Sequence, residues 1–477
     1  MSYTAWEYYA MVLVLLPVYY LLPKKLRWTA LLGGSLFFYV LLLDRRLQLV
    51  LMLGTVAVDY LAGLWLERLR RAGRSGPMRA VLAAGVLVTA LPLLTIKLGS
   101  FAPGALAAGR WSLIVPVGLS YYTLQMIAYL ADVARGKTAA QRNPLKFCLF
   151  ATFFPQVIQG PIPRYDRLEK SLFGGNDYSF ENIVAGAQLV LWGFFLKYMI
   201  ADKAAIFVNA VFGNHRAYGG GYVVAAGLLY TVQLYADFLA CSTLAQGVAQ
   251  MFGVELEDNF RRPLFSASMR EYWKRWHITL STWLRDYVYI PLGGSRGGSA
   301  RRWLNIMLTF LLSGLWHGGG AKILAWGFLH AVWQIGEDIA YSRGRREAPG
   351  GLRRLGAQAR SFAYFTFTNI VFRAGDLRSA WEMIRSLFTV FNPWIWFDDS
   401  LFLLGLGWKE FAVLLLSIAV LFFVDVQQEK GVRIRTWIAG QKLPVRWGIY
   451  LAAVWAIWVF GTYGYGFDAG DFIYGGF

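Results

Sequence analysis

The chain has 477 residues, of which 57% are hydrophobic, 17% aromatic and only 16% charged, and its formal net charge is +19. Soluble domains contain roughly 25% charged residues, so this chain has too few charges to present a mostly water-facing surface. The composition excludes an ordinary soluble enzyme and indicates a polytopic membrane protein.

Runs without charged residues predict the membrane helices. Five runs contain no Asp, Glu, Lys or Arg: residues 8–23, 28–43, 80–96, 111–131 and 447–466. Further apolar candidates lie near residues 47–66, 184–212, 222–250, 300–316, 321–341, 359–373 and 411–424. A crossing helix needs roughly 20 mostly apolar residues, or somewhat fewer when flanking side chains snorkel, which gives about eleven or twelve crossings. The sequence therefore predicts an all-α transmembrane bundle that forms a single integral membrane domain over residues 1–477.

The positive charge does not indicate a nucleic-acid partner, because the basic residues cluster between the apolar runs. The clusters are Lys24, Lys25 and Arg27; Arg68, Arg70, Arg71, Arg74 and Arg79; Arg135, Lys137, Arg142 and Lys146; Arg343, Arg345, Arg346, Arg353, Arg354 and Arg360; and Lys430, Arg433, Arg435, Lys442 and Arg446. Short cytoplasmic loops are enriched in Lys and Arg. If the N-terminus is extracytoplasmic, every one of these clusters lies on the cytoplasmic side of the membrane. The sequence therefore predicts a multi-pass protein of the cell membrane with its N-terminus outside. The first segment lacks a positive n-region and a cleavage site, so we expect a retained helix.

Two cysteines and one carboxylate give few clues. Cys148 and Cys241 lie in or beside apolar stretches and show neither a disulfide framework nor metal-ligand spacing. Asp59 is the one carboxylate within the N-terminal apolar segments. We expect Asp59 to be a hydrogen-bonded or paired packing residue rather than a catalytic one.

An apolar segment over residues 147–163 is interrupted by Pro155, Gly160, Pro161 and Pro163. Proline removes a backbone donor and opposes helix continuation. Irregular backbone at membrane depth persists only where protein or a water-filled cavity covers it. Two interpretations stay open: a re-entrant segment that lines a cavity, or a shallow interfacial loop.

Residues 251–302 are rich in arginine and aromatic residues. One apolar stripe at steps of four and three predicts a continuous amphipathic helix at the cytoplasmic interface: Met269, Trp273, Trp276, Leu280, Trp283 and Tyr287. Arg270, Lys274, His277 and Ser281 fall on another face. This face either meets anionic lipid headgroups or binds a phosphorylated acyl donor from the cytosol. In the second case the expected donor-binding residues are Arg270, Lys274, Arg275, Trp276 and Ser281.

The chain contains four histidines: His215, His277, His317 and His330. His317 ends the uncharged run from Trp303 to Trp316 and precedes three glycines. An ionisable group within a membrane segment is a functional hypothesis by default. A neutral imidazole there could take a proton from an acceptor hydroxyl as the oxygen attacks a thioester carbonyl. The alternative, a histidine hydrogen-bonded within the bundle, is about as well supported.

The other histidines favour structural roles from the residues alone. His215 lies in a polar, glycine-rich loop, and His330 is expected to pack against Trp326 or Trp333. The sequence has no histidine pair or cysteine cluster at metal-ligand spacing. A nucleophile elbow, a P-loop and a dinucleotide-binding glycine pattern are also missing. By elimination we expect histidine-based chemistry with no metal and no tightly bound cofactor.

Two long motifs stand out: EYWKRWHITLSTWLRDYVYIPLGGS (Glu271–Ser295) and LNIMLTFLLSGLWHG (Leu304–Gly318). They closely resemble the membrane-bound O-acyltransferase (MBOAT) family, and in particular its bacterial alginate O-acetyltransferase branch. Shorter matches follow in the family's order: Val115–Lys137, Phe153–Tyr165, Tyr230–Phe238, Asp258–Pro263, Phe372–Phe388 and the C-terminal FIYGGF, Phe472–Phe477.

The resemblance implies a helical bundle around a funnel that crosses the membrane, with His317 as the catalytic residue and His277 near the same cavity. On this basis the expected funnel-lining residues are Gln125, Gln159, Asp237, Ser313 and Trp316. A thioester donor, acetyl-CoA or an acyl-carrier protein, would enter from the cytosol. The acyl group would pass to a polysaccharide outside, with the help of extracytoplasmic partner proteins.

The chain departs from the family pattern at two places. Relatives commonly read DFSGYSD where this chain has DFLACST, so Thr243 replaces the second acidic residue. After the catalytic histidine, relatives often have GAGW, whereas here Gly319, Gly320 and Ala321 precede Lys322. The runner-up within the family is a D-alanyl transferase that loads teichoic acid. A transporter is the alternative from another class, although the sequence shows no paired broken helices in matching halves.

Overall fold

The computed structural model describes residues 2–43, 45–99, 116–342, 344, 350–463 and 472–473, and these residues form helices and connecting segments without a β-strand. The N-terminal helices are α1 (Trp6–Leu21), α2 (Arg27–Leu41), α3 (Arg46–Arg71), α4 (Ser75–Gly99), α5 (Leu119–Ala134), α6 (Pro144–Thr152) and α7 (Tyr165–Phe173). The central helices are α8 (Phe180–Phe194), α9 (Asp202–Gly213), α10 (Gly221–Met251), α11 (Met269–Arg275), α12 (Ile278–Leu284) and α13 (Ser299–His317). The C-terminal helices are α14 (Ala321–Ser342), α15 (Leu352–Arg373), α16 (Leu377–Thr389), α17 (Trp408–Glu429), α18 (Ile434–Ala439) and α19 (Leu443–Phe460).

The predicted all-α membrane bundle is confirmed. Among the described residues, six helices are long and apolar enough to cross a membrane: Arg46–Arg71, Ser75–Gly99, Phe180–Gly213, Gly221–Met251, Trp408–Glu429 and Leu443–Phe460. The other expected crossings coincide with shorter or more polar helices such as α1, α2 and α5, so the number of eleven or twelve stays a prediction. Some predicted features lie outside the described residues: residues 111–115 and 464–466 of two uncharged runs, three bases of the fourth basic cluster (Arg343, Arg345 and Arg346), and residues 474–477 of the C-terminal motif.

Helix α10 is the most enclosed of these membrane helices. In its apolar window 83% of the residues are buried, against 6% to 39% in the other five helices. Its contact with α8 depends on two glycines, because a Cβ on Gly186 or on Gly247 would meet the carbonyl oxygen of the other residue. Small residues let membrane helices approach closely. The packing therefore places the α10 side chains at the centre of the bundle.

The interrupted segment after α6 is irregular and covered by protein. Residues 153–164 form turns and extended backbone, and nearly all of them are buried. Side chains accept hydrogen bonds from three of its amides: Ser35 Oγ from Phe154 (3.2 Å), Tyr3 Oη from Ile158 (3.2 Å) and Thr279 Oγ1 from Ile162 (3.1 Å). These bonds satisfy backbone groups that lipid could not. The burial argues against a shallow interfacial loop, and the lining of a cavity by this segment stays a prediction.

The predicted continuous amphipathic helix is wrong. The structure divides it into α11 and α12, with His277 between them in the left-handed region (φ 42°, ψ 53°). Residue types alone suggested one apolar stripe, but tertiary hydrogen bonds from Asn259 turn the chain at this point. Consequently Arg270 and Lys274 are exposed while His277 is fully buried.

Asp59 has the expected packing role. Thr89 Oγ1 donates a hydrogen bond to Asp59 Oδ1 at 2.6 Å, which joins α3 to α4. Both side chains are fully buried.

Candidate functional site

His317 is the last residue of α13 and is only 2% exposed. Its Nδ1 lies 2.7 Å from the carbonyl oxygen of Ser313, one turn earlier in the same helix. A carbonyl oxygen only accepts, so Nδ1 must carry the proton and the neutral ring has its lone pair on Nε2. The helix end thus selects the tautomer that a general base needs.

His277 lies beside His317, with 6.5 Å between the ring centroids. It is fully buried, and neither of its ring nitrogens has a hydrogen-bond partner among the described residues. Its neighbours are aromatic: Phe238 at 4.7 Å and Trp316 at 5.9 Å between centroids. A buried unsatisfied polar group costs about 1–3 kcal/mol, and such groups call for an explanation, such as a catalytic role or a bound water or ligand. The left-handed backbone adds strain of the kind found at functional sites.

Asn259 holds the turn that presents His277, and the sequence interpretation gave it no role. Its Oδ1 accepts from Thr279 Oγ1 at 2.6 Å, its Nδ2 donates to Ser242 Oγ at 3.1 Å, and its backbone carbonyl accepts from Ile278 at 3.0 Å. These bonds tie the turn to α10 through Ser242. Asn259 lies in the DNFRRP match, which supplied a resemblance but no chemical signal.

Aromatic rings connect the three buried histidines. Trp316 is 4.8 Å from His317, Trp326 is 5.2 Å from His317, and Trp326 is 4.7 Å from His330, all between centroids. The expected packing of His330 against Trp326 is confirmed, whereas Trp333 instead stacks on Tyr364 at 3.9 Å. His215 lies apart from this group, with Nε2 3.0 Å from Glu382 Oε2.

The five residues expected to bind the donor do not share one surface. Arg270 lies over the Tyr341 ring at 5.6 Å, and Lys274 is exposed. Arg275 forms ion pairs with Glu271 at 2.7 Å and Glu429 at 2.5 Å. Trp276 is 2% exposed within an aromatic cluster, and Ser281 Oγ donates to the Trp276 carbonyl at 3.3 Å. Donor binding by this set stays a prediction.

The five residues expected along the funnel are all buried. Ser313 and Trp316 are at the His317 site, and Trp316 Nε1 donates to the Ser120 carbonyl at 3.0 Å. Gln125 Nε2 donates to the Phe150 carbonyl at 2.6 Å, and Gln159 Oε1 has no hydrogen-bond partner among the described residues. The funnel itself stays a prediction, because two surface cavities of about 470 and 870 Å³ are lined by other residues.

Asp237 belongs to a charged cluster. Lys197 Nζ lies 2.9 Å from Asp237 Oδ1 and 2.8 Å from Asp202 Oδ1. Asp237 Oδ2 accepts from the Ile473 amide at 2.7 Å, and the Lys197 ammonium lies 4.4 Å from the Phe472 ring centroid. The charge that Asp237 brings into the bundle is therefore paired, and the same cluster contacts Phe472 and Ile473.

Two lysines at the ends of apolar segments are partly or fully buried. Lys97, in the last turn of α4, is 6% exposed. The sequence interpretation gave Lys97 no role. Lys322, the departure from the family pattern, donates to the Ala374 carbonyl. Thr243, the other departure, is buried in α10.

Comparisons with known proteins show the class to which this all-α membrane bundle belongs. The model of the membrane-bound O-acyltransferase family matches residues 138–372. Over longer stretches, the chain is 34% identical to a probable alginate O-acetylase of Pseudomonas syringae, covering 80% of this chain and 73% of the relative. It is also 34% identical to a probable alginate O-acetylase of Azotobacter vinelandii, covering 87% of this chain and 82% of the relative. The chain belongs to the membrane-bound O-acyltransferase family.

A third relative acts on a different polymer. The peptidoglycan O-acetyltransferase of Helicobacter pylori is 32% identical over 58% of this chain and 57% of its own length. The protein is thus an O-acyltransferase embedded in a membrane by several apolar helices.

Proposed function

We propose that this protein moves an acetyl group from a thioester donor on the cytosolic side to a hydroxyl group of an extracytoplasmic polysaccharide, with His317 as the general base. The relatives named as alginate O-acetylases support acetyl transfer to a polysaccharide. The observation that supports the role of His317 is its Nδ1 bond to the Ser313 carbonyl, which leaves the lone pair on Nε2.

The proposed reaction at His317 is a direct transfer to an acceptor hydroxyl without a covalent acyl-enzyme, and partner proteins then pass the acetyl group toward the polymer. Nε2 of His317 accepts the hydroxyl proton while the oxygen attacks the thioester carbonyl, and a tetrahedral oxyanion forms. When the carbon–sulfur bond breaks, the imidazolium returns its proton to the leaving thiolate. The products are an ester and a free thiol, and His317 is neutral again.

His277 is proposed to bind a reacting group rather than to share the proton with His317. Its neutral ring offers one N–H donor and one acceptor, and the protein uses neither among the described residues. An N–H aimed at the developing oxyanion is worth a factor of about 10²–10³ in turnover. The acceptor nitrogen could instead orient the hydroxyl.

The proposal includes a location and partners. The protein would lie in the cytoplasmic membrane with its N-terminus outside, because that orientation places the basic clusters in the cytosol. Acetyl-CoA or an acyl-carrier thioester would be the donor substrate, without a tightly bound cofactor. Extracytoplasmic acetylation proteins would complete delivery to the polymer.

A second candidate acceptor has some support. The teichoic acid D-alanyltransferase of Bacillus subtilis is 28% identical over 46% of this chain. This similarity is lower and shorter than that to the alginate O-acetylases, so polysaccharide acetylation is the better-supported function.

Mass analysis of surface polysaccharide tests the proposal. Cells with the gene should have O-acetylated polymer, and His317→Ala should lower acetylation by a factor of about 10²–10⁴, which is the contribution of a general base. His215→Ala is the matched control, because His215 lies apart from the site and contacts Glu382. D-Alanine esters on the polymer would indicate the second candidate. Unchanged acylation in a correctly inserted His317→Ala variant would contradict catalysis by this residue.

A further inference from the structure

The cavity of about 870 Å³ lies between α14 and α15, and the imidazole pair, His277 and His317, is not part of its lining. Its lining residues include Leu329, Val332, Trp333, Tyr364, Arg353 and Arg360. Ligand cavities in proteins typically measure about 300–1,000 Å³. The cavity is therefore large enough for part of an organic ligand.

Two glycines create much of the width of this cavity. Gly336 on α14 and Gly356 on α15 both line it, and a Cβ built on either residue would meet no atom within 4 Å. Glycine in a helix interior is destabilising by about 0.5–1 kcal/mol relative to alanine. Close packing of the two helices does not explain these glycines, because the space beside each of them is empty.

The cavity is amphipathic along its length. At one end, Trp333 stacks on Tyr364 and the exposed apolar side chains of Phe328 and Val332 lie nearby on α14. From Leu329 to Tyr341 the helix rises about 18 Å, close to the depth of one leaflet of a roughly 30 Å hydrocarbon core. The cavity thus has the length and the apolar surface to hold an acyl chain.

The other end is cationic. Arg353 is exposed and has no polar contact among the described residues, while Arg360 donates one bond to the Ala267 carbonyl at 3.3 Å. Arg270 adds a third guanidinium over Tyr341. The one lining carboxylate, Glu337, already accepts from the amides of Met269 and Arg270 at 2.9 and 3.0 Å. Positive charge therefore dominates this end.

We propose that this cavity binds an anionic phospholipid from the leaflet on the side of the α14–α15 connection, with the phosphate between Arg353 and Arg360 and an acyl chain along Trp333 and Tyr364. A free phosphate would satisfy the arginines but would leave the apolar part of the cavity empty. A zwitterionic lipid would fill the apolar part but would gain less from the arginines. The combined surface fits an anionic lipid best.

Lipid retention by the purified full-length protein tests this site. Native mass spectrometry should detect bound phosphatidylglycerol in preference to phosphatidylcholine when both are supplied. The double variant Arg353→Gln/Arg360→Gln should weaken phosphatidylglycerol binding roughly 25-fold. This factor corresponds to about 1 kcal/mol of binding free energy for each of the two arginines. Gly336→Leu/Gly356→Leu should also abolish retention by filling the cavity.

Matched controls separate this site from general effects of charge or bulk. Arg79→Gln/Arg433→Gln removes the same charge, and Gly54→Leu/Gly448→Leu adds the same bulk at glycines that also face open space. Both controls should retain lipid. Equal retention of the two lipids, or undiminished phosphatidylglycerol retention by the arginine or leucine variants, would overturn the site. Thermal stabilisation by inorganic phosphate but not by phosphatidylglycerol would assign the arginines to a soluble ligand and also overturn it.

Discussion

Two buried polar clusters adjoin α10, and they differ in how completely they are paired. Lys197 contacts Asp202 and Asp237, and both carboxylate oxygens of Asp237 have partners. One residue further along α10, Phe238 packs against His277, whose two ring nitrogens have no hydrogen-bond partner among the described residues. A buried charge must be paired, whereas a neutral imidazole can stay unpaired at a moderate cost. This contrast is consistent with the proposal that the lysine cluster is structural and that His277 and His317 take part in the reaction.

The largest expected effect is on the lysine cluster. Lys197→Met leaves two buried carboxylates without their cation, so the free energy of unfolding should fall by about 3–5 kcal/mol. Asp237→Asn keeps the Lys197–Asp202 pair and should cost clearly less. Thermal unfolding in detergent measures both variants. Equal and small losses would show that the cluster is not structural.

The next effect separates the backbone from the imidazole at His277. His277→Gly removes the ring but suits the left-handed conformation, whereas His277→Ala keeps the strain of about 1 kcal/mol or more. Both variants should lose about 10²-fold in turnover, and the glycine variant should be the more stable. Acetyl transfer per folded protein gives the first value and thermal unfolding gives the second. Full activity of the His277→Gly variant would show that the imidazole ring takes no part in the reaction.

A smaller effect is expected at the positioning residue Asn259. Asn259→Ala removes the hydrogen bonds to Thr279 and Ser242 and should lower turnover about tenfold. Ser242→Ala removes only one of these bonds, so its loss should be smaller. The measurement is kcat and KM for the donor, and the loss should fall on kcat. A change in stability alone, with normal kcat, would restrict Asn259 to a structural role.

The smallest effect concerns Asp59, a buried carboxylate outside both clusters. Asp59→Asn keeps an oxygen that can accept from Thr89, so the free energy of unfolding should change by no more than about 1.5 kcal/mol and activity should change little. Abolished polymer acetylation in a well-folded variant would indicate that Asp59 takes part in proton movement, contrary to its packing role.

Much of the fold and the identity of one histidine could be predicted from the sequence. The uncharged runs predicted a membrane bundle because a helix that crosses the hydrocarbon core needs a long, mostly apolar stretch. His317 was conspicuous because an imidazole at the end of an apolar run is unusual. The donor-binding set was predicted from helical periodicity over residues 269–287. Periodicity cannot detect the break at His277, because that break is held by hydrogen bonds to Asn259 outside the segment.

The sequence by itself determined that the protein is embedded in a membrane, that it belongs to an acyltransferase family and that His317 is a candidate base. The proton position on His317 follows from a local bond to Ser313 in the same helix. Only the tertiary structure decided that His277 lies beside His317 in a left-handed turn and that Asp237 is paired with Lys197. These facts depend on contacts between residues distant in sequence, such as Asn259 with Thr279 and Lys197 with Asp237. Composition and spacing do not encode such contacts, because they arise only when the helices pack.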